Sequence, residues 1–386
     1  MDKEYILKHK NIPVLLFKLN EDFELLEITT ILDEKRLPFG LKYAGKKEAQ
    51  FKQLSDWIEN RGLPRSRSDL ANIEYDFNVK NSIQLTFGSY ALNLADHYWV
   101  HKSDINLKWE NVNFFSNNFK EVVSFDILGV FEKNREILVA PDLTVDGSLR
   151  KKWIINNNER LLLKGSRYDE MQEPFNELIA SKIMDLFEIE HVKYGLVRNE
   201  SNNMPLSVCK CMVDIDTEIV TAQVVLDTEL KENRNEYDRF INICNKKGIK
   251  DVKENIDNMI IIDFLIGNTD RHTSNFGIIR NSETLEWLKV APIFDNGNSF
   301  HHNTNTINNI EDNVDTLCRW FPRGNYEKLQ YIDNPKCFSN EKIDCISNIV
   351  YDNLCNNENV KEDKKNKLVS IVKKRINLLK EIIEKK

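Results

Sequence analysis

Runs of apolar residues divide the second half of the chain into short elements. Ile261 to Asn268 (IIDFLIGN) is a run of the buried type, and the polar stretch TDRHTSN follows it. Phe276 to Arg280 and Trp287 to Phe294 then read as two short strands joined by the polar turn Asn281-Ser282-Glu283-Thr284, a hairpin whose ends are neighbours in space. Upstream, Arg160 to Gly165 (RLLLKG) reads as an apolar strand ending in lysine. In EPFNELIASKIMDLF, residues Phe175, Leu178, Ile179, Ile183 and Leu186 recur at helical spacing and predict a helix with a buried stripe. A last helix carries Leu368, Ile371, Val372, Ile376, Leu379, Ile382 and Ile383 on one stripe with lysines opposite, the pattern of a helix docked on its own core. Toward the N-terminus, Val14 to Phe17 and Leu25 to Ile28 predict strands. Phe51 to Arg61 predicts an amphipathic helix ended by Gly62 and Pro64, and the aromatic-rich LTFGSYALNLADHYWV predicts packed core.

The hairpin brings chemistry with it. Asn275 precedes the first strand and Asp295 follows the second, so an amide oxygen and a carboxylate end side by side, a pair suited to magnesium, which takes oxygen ligands and shares them with water and phosphates. Asp270, five residues before Asn275, is placed to accept a hydrogen bond from an attacking hydroxyl. His272 is assigned to holding the loop's shape by hydrogen bonds rather than to proton transfer. The pattern D-x-x-x-x-N, hairpin, D is how kinase-type sites are assembled, and a kinase needs a lysine for the nucleotide phosphates. Lys164 fills that place, with Glu177 on the following helix as the carboxylate that fixes its ammonium and Glu173 as the rival candidate.

IGNTDRHTSNFG followed by APIFDNG resembles the signature of the HipA-like kinases, a bacterial branch of the protein-kinase-like fold. The resemblance implies ATP as donor, Asp270 as catalytic base, and Asn275 and Asp295 as metal ligands. It also implies a protein serine or threonine as acceptor and, for several members, a role as toxin beside a DNA-binding antitoxin. By the same resemblance the segment Asp142 to Trp153 stands where a phosphate-covering loop belongs, with Thr144 and Ser148 as candidate autophosphorylation sites. That segment is poor in glycine: Gly147 is alone in it, and Lys151 and Lys152 are the groups that compensate. Leu206 to Val213 is the extended segment expected along the adenine, with Cys211 on it and Asp214 or Asp216 at the ribose. Cys209 and Cys211 alternate, but no second Cys or His pair follows at zinc-finger spacing, so they read as small apolar residues.

Whole-chain quantities narrow the classes. With 386 residues the chain holds two lobes and a large core, and a formal net charge of -7 argues against nucleic-acid binding driven by overall charge. Seven scattered cysteines, an odd number, predict reduced thiols and a cytoplasmic setting. Met1 to Lys10 lacks an apolar core and no run of eighteen apolar residues occurs, so neither export nor membrane spanning is expected. The expectation is therefore an α+β, two-lobed protein-kinase-like fold with a mixed N-terminal lobe and a mainly helical C-terminal lobe. Its parts are an N-terminal region 1–130, a nucleotide-binding core 131–212 and a catalytic helical lobe 213–386. The expected activity is ATP- and magnesium-dependent phosphorylation of a protein, with an antitoxin or regulatory partner. A kinase for a small molecule or lipid, and a nucleotide-binding scaffold without turnover, are the alternatives that the residues leave open.

Overall fold

The computed structural model describes residues 3–63, 70–76, 79–119, 141–144, 149, 151–229, 235–304, 310, 314–320, 322–333, 335 and 337–385. The chain forms two compact units. One comprises Met1–Leu162, Val213–Ile219 and Asn281–Leu285, and the other Leu163–Met212, Val220–Arg280 and Glu286–Lys386. The three-part division read from the sequence remains an expectation.

In the first unit, β1 (Lys3–His9), β2 (Ile12–Leu19), β3 (Leu25–Ile31) and β4 (Tyr98–Lys102) form an antiparallel sheet in the order β3-β2-β1-β4. Alternate residues Tyr5, Leu7, Phe17 and Leu19 are buried, as period-two patterning requires of a sheet with one covered face. The cover comes from α1 (Phe39–Tyr43), α2 (Lys47–Asn60) and α4 (Ser82–Gly88), whose Leu41, Leu54, Ile58 and Phe87 join that core; α3 (Leu70–Asp76) lies between α2 and α4 in sequence. Tyr98, Trp99 and Val100 are buried, so the aromatic stretch is core. At the end of α2, Arg61 closes the layer: its guanidinium pairs with Asp96 at 2.5 Å and lies 4.8 Å from the Trp57 ring centroid. Strand β5 (Lys151–Asn156) belongs to this unit, and β6 (Glu159–Lys164) begins in it.

The second unit is built on helices. α5 (Gln172–Leu186) precedes the antiparallel pair β7 (Tyr194–Arg198) and β8 (Pro205–Lys210). After β9 (Thr217–Thr221) come α6 (Ala222–Leu226), α7 (Glu236–Lys246) and α8 (Val252–Ile266), then the hairpin β10 (Gly277–Asn281) and β11 (Trp287–Val290). α9 (Asn325–Lys328), α10 (Asn340–Asp344), α11 (Ile346–Cys355) and α12 (Glu362–Lys385) complete it. The sequence carried the second hairpin strand to Phe294, but β11 stops at Val290. Pro292 lacks a ladder donor, and Ile293 leaves to bridge His191 in parallel register. Likewise β8 ends at Lys210, so Cys209 is buried in the strand while Cys211 lies beyond it, half-buried. None of the seven cysteines forms a disulfide, and the Cys209 thiol is pushed up to about 11 by burial. α12 docks through Leu368, Ile371, Val372, Ile376 and Leu379, all buried. Among the described residues no helix is long and apolar enough to cross a membrane.

The second half of α8, Met259 to Ile266, is buried on every side, with Asp263 the one charged residue in it. Its end sets up everything that follows. Asn268 N donates to Asp263 O at 2.9 Å and Gly267 N to Phe264 O at 3.3 Å, a Schellman closure with Gly267 in the left-handed region (φ +63). A Cβ on Gly267 would meet the Arg375 guanidinium of α12 at 2.5 Å. Gly267→Ala is therefore expected to cost the left-handed backbone penalty of about 1–2 kcal/mol plus the displacement of a buried guanidinium. Gly248→Ala (φ +88, nothing within 4 Å) should cost the backbone part alone. Urea midpoints measure both, and equal losses would overturn the role given to Arg375.

A pH dependence follows from the same region. His301 and His302 are both pushed down to about 4, first by burial, then by the Arg375 and Lys364 charges at His301 and the Arg167 and Lys364 charges at His302. Folding thus disfavours their protonation. The unfolded chain binds more protons than the folded one between about 4 and the ordinary 6.5. Stability is expected to be full above 6.5 and to fall as pH drops toward 4. In melts taken across this range, the double variant His301→Gln, His302→Gln should show a flatter profile than the parent.

Candidate functional site

Lys164, at the end of β6, is buried, and its ammonium is surrounded by acceptors. Nζ lies 2.8 Å from Glu177 Oε1, 2.9 Å from Asp295 Oδ1 and 3.1 Å from the Tyr194 hydroxyl. Burial disfavours its proton, but the Asp295 and Glu177 carboxylates outweigh it and hold the group well above the ordinary lysine range. Glu177 is held above the usual carboxylate range by burial, against the pull of Lys164. Its second oxygen accepts from Asn296 N at 2.9 Å, so one carboxylate ties the lysine to the backbone just after Asp295. Glu173, the rival, does not meet Lys164. It accepts from Ser166 Oγ and from Arg167 N at 3.1 Å, fixing the turn after β6.

α5 holds the whole segment after Asp295. Asn176 Nδ2 donates to Gly297 O and Ser299 O at 2.8 Å each, and Gln172 Nε2 to Phe300 O at 2.9 Å. Asp295 itself has φ +59, an uncommon conformation that short polar side chains tolerate. Surrounding bonds of this kind are what maintain such a backbone.

The loop after α8 is organised from beneath. Asn268 Oδ1 accepts from Asp270 N at 2.9 Å while its Nδ2 donates to Asp263 Oδ1 at 2.9 Å. Arg271, fully buried, does most of the work. Its guanidinium pairs with Asp263 at 3.0 Å and donates to Asn275 O at 2.8 Å, Phe294 O at 2.6 Å and Asn296 Oδ1 at 2.6 Å. One planar fork thus joins the loop that carries Asp270 and Asn275 to the segment that carries Asp295. Asp270 Oδ2 accepts from Asn298 Nδ2 at 2.7 Å, and Oδ1 faces the exposed Arg319 at 3.4 Å. Asn275 Nδ2 donates to Asp270 O at 3.0 Å, which leaves the amide oxygen as what it can offer a cation. His272 shapes the loop: Ser274 N donates to its Nδ1 at 3.2 Å and Asn275 N to its carbonyl at 2.8 Å.

Gly147 and Ser148 fall outside the described residues, Thr144 ends a short 3-10 turn from Pro141, and Lys151 opens β5. Asp214 Oδ1 accepts from the Thr217 hydroxyl at 2.8 Å and Asp216 N at 3.0 Å, closing its own turn. Sequence reading missed Arg271, Asp263, Asn176 and Gln172. It also missed a buried trio in the first unit, His9, His97 and Glu218, whose ligand atoms lie within 4.8 Å of one another. Arg36 Nη1 sits 3.0 Å from His9 Nδ1. Because a guanidinium only donates, His9 Nδ1 accepts and Nε2 carries the proton given to Glu218 at 3.1 Å. That ring has no lone pair left for a metal, so the trio is a hydrogen-bonded tie within the first unit.

No protein-family model matches the chain, and no curated protein matches it. Solved structures do. A Helicobacter pylori proinflammatory kinase, CtkA, aligns at 20% identity and a TM-score of 0.47 over 61% of this chain and 94% of that one. A chain of the Shewanella oneidensis MR-1 toxin-antitoxin complex of HipA, HipB and operator DNA aligns at 12% identity and a TM-score of 0.52, over 98% of this chain and 99% of that one. The second likeness, spanning both chains almost completely, shows the fold: α+β, two-lobed and kinase-like.

Proposed function

We propose that the chain is an ATP- and magnesium-dependent kinase that transfers the γ-phosphate to a serine or threonine hydroxyl of a protein. The observation that supports it is the arrangement around Arg271: a buried lysine paired to a helix glutamate and to Asp295, wired to a loop that presents Asp270 and Asn275. On this reading Asp270 orients the acceptor hydroxyl and takes its proton as the new bond forms. Lys164 neutralises charge on the nucleotide phosphates, and Glu177 keeps the ammonium in place. The donor set fits a hard cation. Asp295 offers a carboxylate and Asn275 an amide oxygen, and magnesium held there would supply charge stabilisation on the transferred phosphoryl group.

The solved HipA chain is part of a toxin-antitoxin assembly, and by that likeness we extend the proposal to a toxin role with a protein antitoxin as partner. The first test is incubation of the purified chain with ATP and magnesium, alone and with a cell extract as acceptor, read by intact mass and by γ-phosphate transfer. Expected is phosphate on protein with magnesium and none with a chelator. A chain that neither binds nor consumes ATP would overturn the reading.

A further inference from the structure

Buried lysines are normally paired with carboxylates, because an unpaired ammonium is costly out of water. Lys164 meets Glu177 and Asp295, and Lys364 meets Glu170. Lys328 breaks the rule. It is 1% exposed, and among the described residues its neighbours are Asn325 Oδ1 at 3.0 Å, the Trp320 ring at 5.8 Å to the centroid, and the sulfur of Cys318, with which Nζ is in direct contact. Cys318 is 5% exposed, and its Sγ donates to Trp320 O at 3.7 Å.

The contact is set by the backbone rather than by chance reach of a long side chain. Asn325 N donates to Thr316 O at 3.0 Å, Leu317 bridges Gly324 in antiparallel register, and Cys318 N donates to Arg323 O at 2.8 Å. The single turn of α9 then returns Lys328 beneath Cys318. A thiol and an amine are thereby held together, both nearly out of contact with solvent.

We propose that Cys318 and Lys328 are the two ends of an oxidative cross-link, a sulfur-oxygen-nitrogen bridge formed with dioxygen. Written for thiol and amine, the S–H bond, one N–H bond and the O–O bond break, and one S–O and one O–N bond form. Four electrons pass from the pair to dioxygen, and its second oxygen leaves as water with both hydrogens. The bridge would fasten a segment that bears on the catalytic loop. Asn325 Nδ2 donates to Asn268 O at 2.7 Å, Trp320 packs on Phe276 with centroids 4.7 Å apart, and Arg319 faces Asp270 at 3.4 Å.

The test reads the bond itself and so is independent of whether the chain is a kinase. Full-length protein with the exposed Cys345 and Cys355 replaced by serine is kept in oxygenated buffer or under reductant, digested, and mapped by mass. Expected is a joined pair of peptides containing positions 318 and 328, heavier by about 14 Da than their sum, against about 16 or 32 Da for a thiol oxidised alone. Dithiothreitol should release it, and Cys318→Ser and Lys328→Arg should each abolish it. The serine variant, conservative in size, serves if the arginine variant fails to fold. A persistent free thiol at Cys318, oxidation of that thiol without linkage, or a pair lighter by about 2 Da from a direct S–N bond would each overturn the bridge.

Discussion

Arg271→Ala is expected to remove about 3–5 kcal/mol of folding stability, the usual result of leaving one member of a buried ion pair behind. The guanidinium is wholly buried, and its loss strands the Asp263 carboxylate, 2% exposed, with Asn268 Nδ2 as its remaining side-chain donor. It also orphans the carbonyls of Asn275 and Phe294 and the side-chain oxygen of Asn296. Arg271→Lys should recover little, because an ammonium cannot reproduce a planar fork that reaches four acceptor groups on α8, the loop and the segment after β11. The double variant Arg271→Ala, Asp263→Asn should lose less than the two single losses summed, since no charge is then left unpaired. Urea midpoints with unchanged slope measure all of these. A single-variant loss below about 1 kcal/mol, the range of exposed pairs, would show that the arginine is not the keystone of the loop.

Arg271 also marks where sequence reading ran out. Asp270, Asn275 and Asp295 stand out as oxygen donors by spacing alone. An arginine beside them reads as one more polar loop residue, because nothing in one dimension says that α8 will bury it against Asp263. Gln172 and Asn176 were hidden for a related reason. They are polar positions on a helix whose stripe is already accounted for by Phe175, Ile179 and Ile183, and what buries them is a segment more than a hundred residues downstream. Periodicity carried the elements that are long and strongly patterned, such as α5, the end of β6 and the docked face of α12. It overran where a proline intervenes at Pro292. It gave no strand over Lys3–His9, where Lys3, Glu4 and Lys8 flank a run of only three apolar residues, Tyr5 to Leu7.

Asp270→Asn is expected to lower turnover by two to four decades, the usual worth of a positioned base and equivalent to ~3–5 kcal/mol of transition-state stabilisation. Nucleotide affinity should be unchanged, because Lys164, Glu177 and Asp295 form a separate hydrogen-bonded group that does not include position 270. The substitution is nearly isosteric, and an asparagine oxygen can still accept from Asn298 Nδ2, so the loop should keep its shape. Lys164→Ala should behave in the opposite way. It leaves Glu177 and Asp295 facing each other without their cation, which weakens nucleotide binding and stability together. The two variants therefore separate roles that a simple loss of activity would merge. Calorimetric titration with a non-hydrolysable ATP analogue and magnesium, beside initial rates of phosphate transfer, is the measurement. Loss of nucleotide binding on Asp270→Asn would place that carboxylate in the nucleotide site, and full retention of turnover would remove it from the chemistry.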